Sequence, residues 1–233
     1  MIGLSCQIKA GLCCIGLCGI LHEGQRDRSR VHMAQNEARN LVRAVEHRDI
    51  ENLTRILESS PKAYKTAVFK ETDVLQIACG LGHTECAQLL IAHGAIIDRH
   101  TSSEWAPLHS ACYRGHVACA QLLIDHGAKV DELTHDFDGC DGEGRTPLHL
   151  ACEGQSQSVF NIEECLRLLV KHGANVNAED RSGRTPLHKA CDSPRLVMAL
   201  LELGADVSLR DGEGRSALEV TRNEYCAKLL RAT

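Results

Sequence analysis

An internal repeat constrains the fold of this chain more than any other sequence feature. The segment Pro-Leu-His-x-Ala-Cys occurs three times, and looser versions lie around Leu75 and Leu218. A second segment, Leu-Leu-x-x-His-Gly-Ala, also occurs three times, with a shortened version at Gly204. The basic period is the 33 residues from Leu75 to Leu108. One such unit cannot bury its apolar face alone, so we expect the units to stack into one continuous array.

Each repeated segment has the residues of a helix end. Thr146 and Thr185 precede Pro and can cap a helix, and Pro fits the first helical turn. The pair Gly-His, as in Gly115-His116, interrupts the helix, and a second apolar helix ends at His-Gly-Ala. This pattern predicts an all-α solenoid of about six helix-turn-helix units that are joined by extended finger loops.

These motifs resemble the ankyrin repeat, of which Thr-Pro-Leu-His-x-Ala at a period of 33 residues is typical. Two further segments resemble the ankyrin-repeat and SOCS-box family: Ala-Cys-x-x-Gly-His-x-x-Cys-Ala-Gln-Leu-Leu-Ile-x-His-Gly-Ala, which occurs twice, and Trp105-Ala-Pro-Leu-His109. That resemblance implies client binding through the repeats and recruitment of a cullin–RING ubiquitin ligase through a C-terminal SOCS box. The chain ends at Thr233, so we expect elongin and cullin partners only for a longer form that carries the box.

The pattern also predicts the domain organisation. The repeat domain covers 36–233, with units at roughly 36–70, 71–103, 104–143, 144–182, 183–213 and 214–233. Residues 1–35 form an apolar, Cys-containing tail and a polar linker, which we expect to be unstructured. The uninterrupted apolar run from Ala10 to Leu21 is too short to span a bilayer. Membrane association through Cys13, Cys14 and Cys18, or a secretory signal, remain the alternatives for this tail.

The chain contains 13 Cys and 13 His residues, and most of them recur in register. Regular recurrence indicates packing and turn stabilisation, because buried free Cys acts as a small apolar side chain. Cysteines at equivalent positions of neighbouring units lie about 9–10 Å apart, too far for a disulfide. We therefore expect no metal and no cofactor, and reduced thiols in the cytoplasm or the nucleus. The formal net charge of −5 argues against a general nucleic-acid binder, and we expect no membrane association of the array.

Departures from the period are candidate binding elements, because insertions in repeat proteins map to loops. Seven extra residues precede Leu148, within an acidic stretch from Asp131 to Glu143 that contains Phe137. Six extra residues, which include Phe160, separate the helices of the fourth unit. We expect the acidic finger to dock a basic segment of a partner protein, with two solvated loops as the alternative.

The concave surface of such an array combines its finger loops with the exposed face of each first helix. Trp, Tyr and Arg on that surface are typical of binding hot spots. The candidate partner-binding residues are Arg99, His100, Glu104, Trp105, Tyr113, Arg114, Asp136, Phe137, Asp138, Asp141, Glu153 and Phe160. No phosphate loop, catalytic serine motif or zinc-protease motif occurs in the sequence. We therefore expect a non-enzymatic scaffold, or alternatively a ubiquitin-ligase substrate-recognition subunit whose SOCS box is absent from this chain.

Overall fold

The computed structural model describes residues 36, 38–59, 74–99, 105–134, 143–154 and 159–232. Within these ranges the regular structure is helical, apart from one isolated bridge between Arg210 and Ser216. The helices are α1 (38–46), α2 (Ile50–Ser59), α3 (Val74–Leu81), α4 (Thr84–Ala92), α5 (Pro107–Arg114), α6 (Val117–Asp125), α7 (Pro147–Glu153), α8 (Val159–Lys171), α9 (Pro186–Ala190), α10 (Pro194–Glu202), α11 (Ala217–Val220) and α12 (Glu224–Arg231).

In the described ranges the helices form six consecutive pairs, which pack as two layers. Each first helix from α3 to α9 contacts the first helix of the next unit, and each second helix from α2 to α10 contacts the next second helix. The predicted all-α solenoid of about six helix-turn-helix units is therefore confirmed. The tail predicted over 1–35 lies outside the described residues. No helix in the described part of the chain is long and apolar enough to cross a membrane.

The histidines of the Pro-Leu-His motif stabilise the starts of the first helices and bond with the next finger loop. In α7, Thr146 Oγ1 accepts a hydrogen bond from the backbone N–H of His149, whose Nδ1 accepts from the N–H of Thr146. Since Nδ1 is an acceptor, Nε2 carries the proton and donates to the carbonyl of Arg184, 2.8 Å away in the next finger. His109 and His188 make the same contacts with the carbonyls of Glu132 and Arg215. The predicted role of these histidines in turn stabilisation is confirmed.

The turn between the helices of the second unit requires glycine. Gly82 has a φ of 73°, and a Cβ atom there would lie 2.6 Å from Nδ1 of the His116 ring. His116 in turn bonds through Nε2 with the carbonyl of Gly80 at 3.2 Å. The Gly-His pair of one unit therefore packs against that of the next.

The buried cysteines form diagonal contacts between units. The thiol of Cys79 on α3 lies near that of Cys119 on α6, and the thiol of Cys112 on α5 lies near that of Cys165 on α8. The first contact lowers the pKa of Cys119, whereas the second raises the pKa of Cys112, which burial also raises. The eight cysteines within the described ranges are free thiols. The sequence prediction compared cysteines within one column of the array and missed these diagonal contacts.

Candidate protein-interaction surface

A groove opens on the face that the first helices share. It encloses about 570 Å³ between α3 and α5. Its lining residues are Glu46, Gln76, Ile77, Gly80, Leu81, Trp105, Ser110, Tyr113 and Arg114. This groove has the size of a small-ligand or side-chain site, and Leu81 at its edge has 46% of its surface exposed. We call it the α3–α5 groove.

Two aromatic rings form one wall of the α3–α5 groove. Trp105 precedes α5 and Tyr113 lies in its last turn, and their ring centroids are 5.0 Å apart in an edge-to-face arrangement. The guanidinium of Arg114 lies 5.7 Å from the centre of the Tyr113 ring. All three residues are at least partly exposed. Because each ring restrains the other, a partner that binds here loses little side-chain entropy from this wall.

Gly80 provides the space beside Tyr113. Both residues occupy the same repeat position, five residues after Leu75 and Leu108. A Cβ atom at Gly80 would make only an ordinary contact, 3.6 Å from Cβ of Ser110. A larger side chain at residue 80 is therefore compatible with the helix and would occupy the groove.

The next unit places charges where the third unit has aromatic rings. Arg145 and Glu153 occupy the repeat positions of Trp105 and Tyr113, and Arg145 Nη1 donates to Glu153 Oε2 at 2.5 Å. Glu153, one of the predicted contact residues, therefore lies in an ion pair, and its role in partner binding stays a prediction. A Cβ atom at Gly154 would lie 2.4 Å from the carbonyl oxygen of Tyr113, so this charged site adjoins the aromatic wall.

Lys189 on α9 connects these charges to the finger loops. Its Nζ atom lies 2.8 Å from Glu153, 3.1 Å from Glu143 and 3.1 Å from Asp180. Burial opposes the charge of Lys189, but hydrogen bonds with these carboxylates, that of Glu153 first, raise its pKa overall. With Arg145, these residues form what we call the charge cluster, which contains three carboxylates and two cations.

The finger that leads into the fourth unit, which contains the seven-residue insertion, is described at its two ends, 131–134 and 143–145. Thr134 and Arg145 close its base through two backbone-directed hydrogen bonds, each 2.9 Å long. In the next finger the equivalent bond joins Asp180 and Arg184. The bonded residues are 11 positions apart in the first of these fingers and 4 positions apart in the next. The seven extra residues therefore all lie between Thr134 and Arg145.

The three acidic residues of this finger that lie in the described part of the chain have partners. Asp131 accepts a hydrogen bond from the backbone N–H of Asn175, Glu132 lies 3.0 Å from Lys129, and Glu143 belongs to the charge cluster. Asp136, Phe137, Asp138 and Asp141 lie outside the described residues, so their predicted role stays a prediction.

Two of the remaining predicted contact residues, Arg99 and Phe160, are described by the structure and do not line the α3–α5 groove. Arg99 is half-buried, whereas His100 and Glu104 lie outside the described residues. Phe160 is 62% exposed in the first turn of α8, a second helix, where the Arg195 guanidinium stacks 3.5 Å from its ring centre. It does not line the α3–α5 groove.

Of the predicted set, the groove brings together Trp105, Tyr113 and Arg114. Sequence reasoning missed Ile77, Gly80 and Leu81. A signal for Leu81 was present, because it is apolar at the repeat position that Arg114 occupies in the next unit.

Comparison with known proteins gives consistent matches. The family described as ankyrin repeats (three copies) matches residues 41–134 and 130–211. Human ankyrin repeat and SOCS box protein 16 is 40% identical over 161 residues, which are 68% of this chain and 32% of that protein. Human BCL-6 corepressor-like protein 1 is 31% identical over 99 residues, which are 42% of this chain and 5% of that protein. The chain thus spans about a third of the first relative and a far smaller part of the second.

Proposed function

This chain belongs to the ankyrin-repeat family, and from that premise we propose that it is a non-enzymatic module that binds a client protein. The client contacts the α3–α5 groove and the neighbouring finger loops. The observation that carries this proposal is the groove itself, with an apolar floor and a restrained aromatic wall. Tyr, Trp and Arg at the centre of a desolvated pocket are the side chains that dominate binding energy in protein interfaces.

The roles of the histidines and cysteines support a non-enzymatic function. His109, His149 and His188 each use both ring nitrogens in hydrogen bonds that hold helix starts and fingers. A general base needs a free ring nitrogen within reach of a substrate. The eight described thiols are buried, away from any substrate in solvent. Free thiols also support a reducing compartment, the cytoplasm or the nucleus.

Capture of partners from cell extract by the tagged chain tests the proposal. Tyr113→Ala removes one aromatic ring of the groove wall, and Phe160→Ala removes an exposed ring from α8. We expect Tyr113→Ala to lose at least one captured protein that Phe160→Ala retains, since only Tyr113 lines the groove. If both variants capture the same proteins as the unmodified chain, the groove is not the binding site.

A second candidate function is substrate recognition for a cullin–RING ubiquitin ligase. The 40% identity with ankyrin repeat and SOCS box protein 16 favours it. In this case a longer form that carries the box would capture elongin and cullin subunits, and Tyr113→Ala would not change that capture, because the box would lie outside the groove. Capture of a client without these subunits by that longer form would favour the simple scaffold.

A further inference from the structure

The α3–α5 groove has room for one large apolar side chain of a partner. Ile77 and Leu81 are apolar, Gly80 contributes no side chain, and the ring of Tyr113 forms the opposite wall. The charged residues at the groove, Glu46 and Arg114, are one of each sign. The groove itself therefore selects for apolar surface rather than for charge.

The charge cluster determines what lies beside that side chain. It contains one more carboxylate than cations, and Gly154 next to Glu153 packs against the Tyr113 carbonyl. Glu143 and Glu153 are 44% and 23% exposed, respectively, so a partner can reach them. A Lys or Arg side chain of the partner matches this excess of negative charge, whereas an Asp or Glu opposes it.

The distance between the two sites gives a spacing. Neighbouring first helices pack about 8–10 Å apart, and an extended chain advances about 3.3 Å per residue. A segment that runs from the middle of the groove, between α3 and α5, to α7 crosses about one and a half helix spacings, or about 12–15 Å, and therefore needs about four residues. We propose that the groove binds an extended segment of a partner protein in which a large apolar residue enters the α3–α5 groove and a Lys or Arg about four residues away contacts Glu153 and Glu143. This inference rests on the proposed function and specifies its ligand.

Selection from a random 12-residue peptide library tests the proposal with the intact chain. A variant with an occupied groove, Gly80→Met, serves as the counter-target, because Cβ at residue 80 meets no clash. Gly80→Ala is the matched control, since it adds a methyl group and leaves the groove open. We expect enriched peptides to carry Leu, Ile or Phe with Lys or Arg about four residues away, and to bind Gly80→Ala but not Gly80→Met.

The outcomes separate this inference from the proposed function. Peptides that lose binding to Gly80→Met but lack the basic residue would overturn the inference and leave the proposed function standing. No enrichment, or enriched peptides that bind Gly80→Met equally, would overturn both.

Titration of a selected peptide then measures each contribution. Trp105 is the one Trp of the chain and lines the groove, so its fluorescence reports on occupancy directly. Replacing the apolar residue of the peptide by Ser should weaken binding about tenfold to hundredfold. Replacing its basic residue by Glu should weaken binding about two- to tenfold, and less so at high salt. Glu153→Gln in the chain should reduce that charge preference, and an unchanged preference would contradict the contact with the charge cluster.

Discussion

Trp105 and Tyr113 meet edge to face at 5.0 Å, and Arg145 and Glu153 hold the same two repeat positions one unit later. The repeat backbone thus presents an aromatic pair and an ion pair side by side on one face. Both pairs join the start of a first helix to its end, so each is fixed by the helix on which it lies. The side-chain chemistry of this face therefore differs from unit to unit although the fold does not.

Removal of Lys189 should destabilise the array strongly. Its ammonium pairs with Asp180, whose side chain is fully buried, and Lys189→Met would leave that carboxylate without a cation. We expect a loss of about 3–5 kcal/mol in the free energy of unfolding, measured by urea titration. The matched control is Arg210→Ala, which removes an exposed ion pair with Glu219 and should cost about 0–1 kcal/mol. Equal losses for the two variants would show that the charge cluster is no more important than a surface pair.

Stability should fall as pH drops below neutrality. Burial lowers the pKa of His149 and of His116 from the usual 6.5, so the folded protein favours the neutral rings. Between 6.5 and the lowered values the unfolded chain binds more protons, so the free energy of unfolding decreases as the pH falls through that window. The carboxylates with lowered pKa, such as Asp211 at about 2, titrate in a more acidic range. Urea titrations at several pH values between 7.5 and 5 measure this loss, and a constant stability would contradict it.

Substitution of Gly82 should cost more than substitution of Gly94. Both have positive φ, of 73° and 90°, so Ala is strained at either position by about 1–2 kcal/mol. A Cβ at Gly82 would also meet the His116 ring, whereas nothing lies within 4 Å at Gly94. We expect Gly82→Ala to lower the free energy of unfolding by at least about 1 kcal/mol more than Gly94→Ala. Equal effects would mean that His116 moves aside freely.

Sequence reasoning identified the features that repeat and missed those that depend on neighbouring units. The capping by Thr146 and the paired contacts of His149 follow from local motifs, and the structure has them. Glu143 could not be assigned in this way, because its partner Lys189 is 46 residues away. The α3–α5 groove was missed for the same reason, because it depends on how Gly80 on one helix faces Tyr113 on the next.

Reducing agent should leave the fold unchanged. The eight described cysteines are free and buried thiols. Seven of them lie within helices, and Cys191 directly follows α9. We expect the melting temperature to change by less than about 2 °C between buffers with and without dithiothreitol. A larger drop in dithiothreitol would show that a disulfide stabilises the array.

The affinity of Gly80→Met for a captured client tests the role of the groove most directly. The side chain of Met occupies the space beside Tyr113, while the thermal melt controls for folding and Gly80→Ala controls for the loss of glycine. If the groove binds the client, Gly80→Met binds at least about tenfold more weakly than the unmodified chain, and Gly80→Ala binds within about twofold. A folded Gly80→Met that binds the client as tightly as the unmodified chain would contradict the assignment of the α3–α5 groove as the binding site.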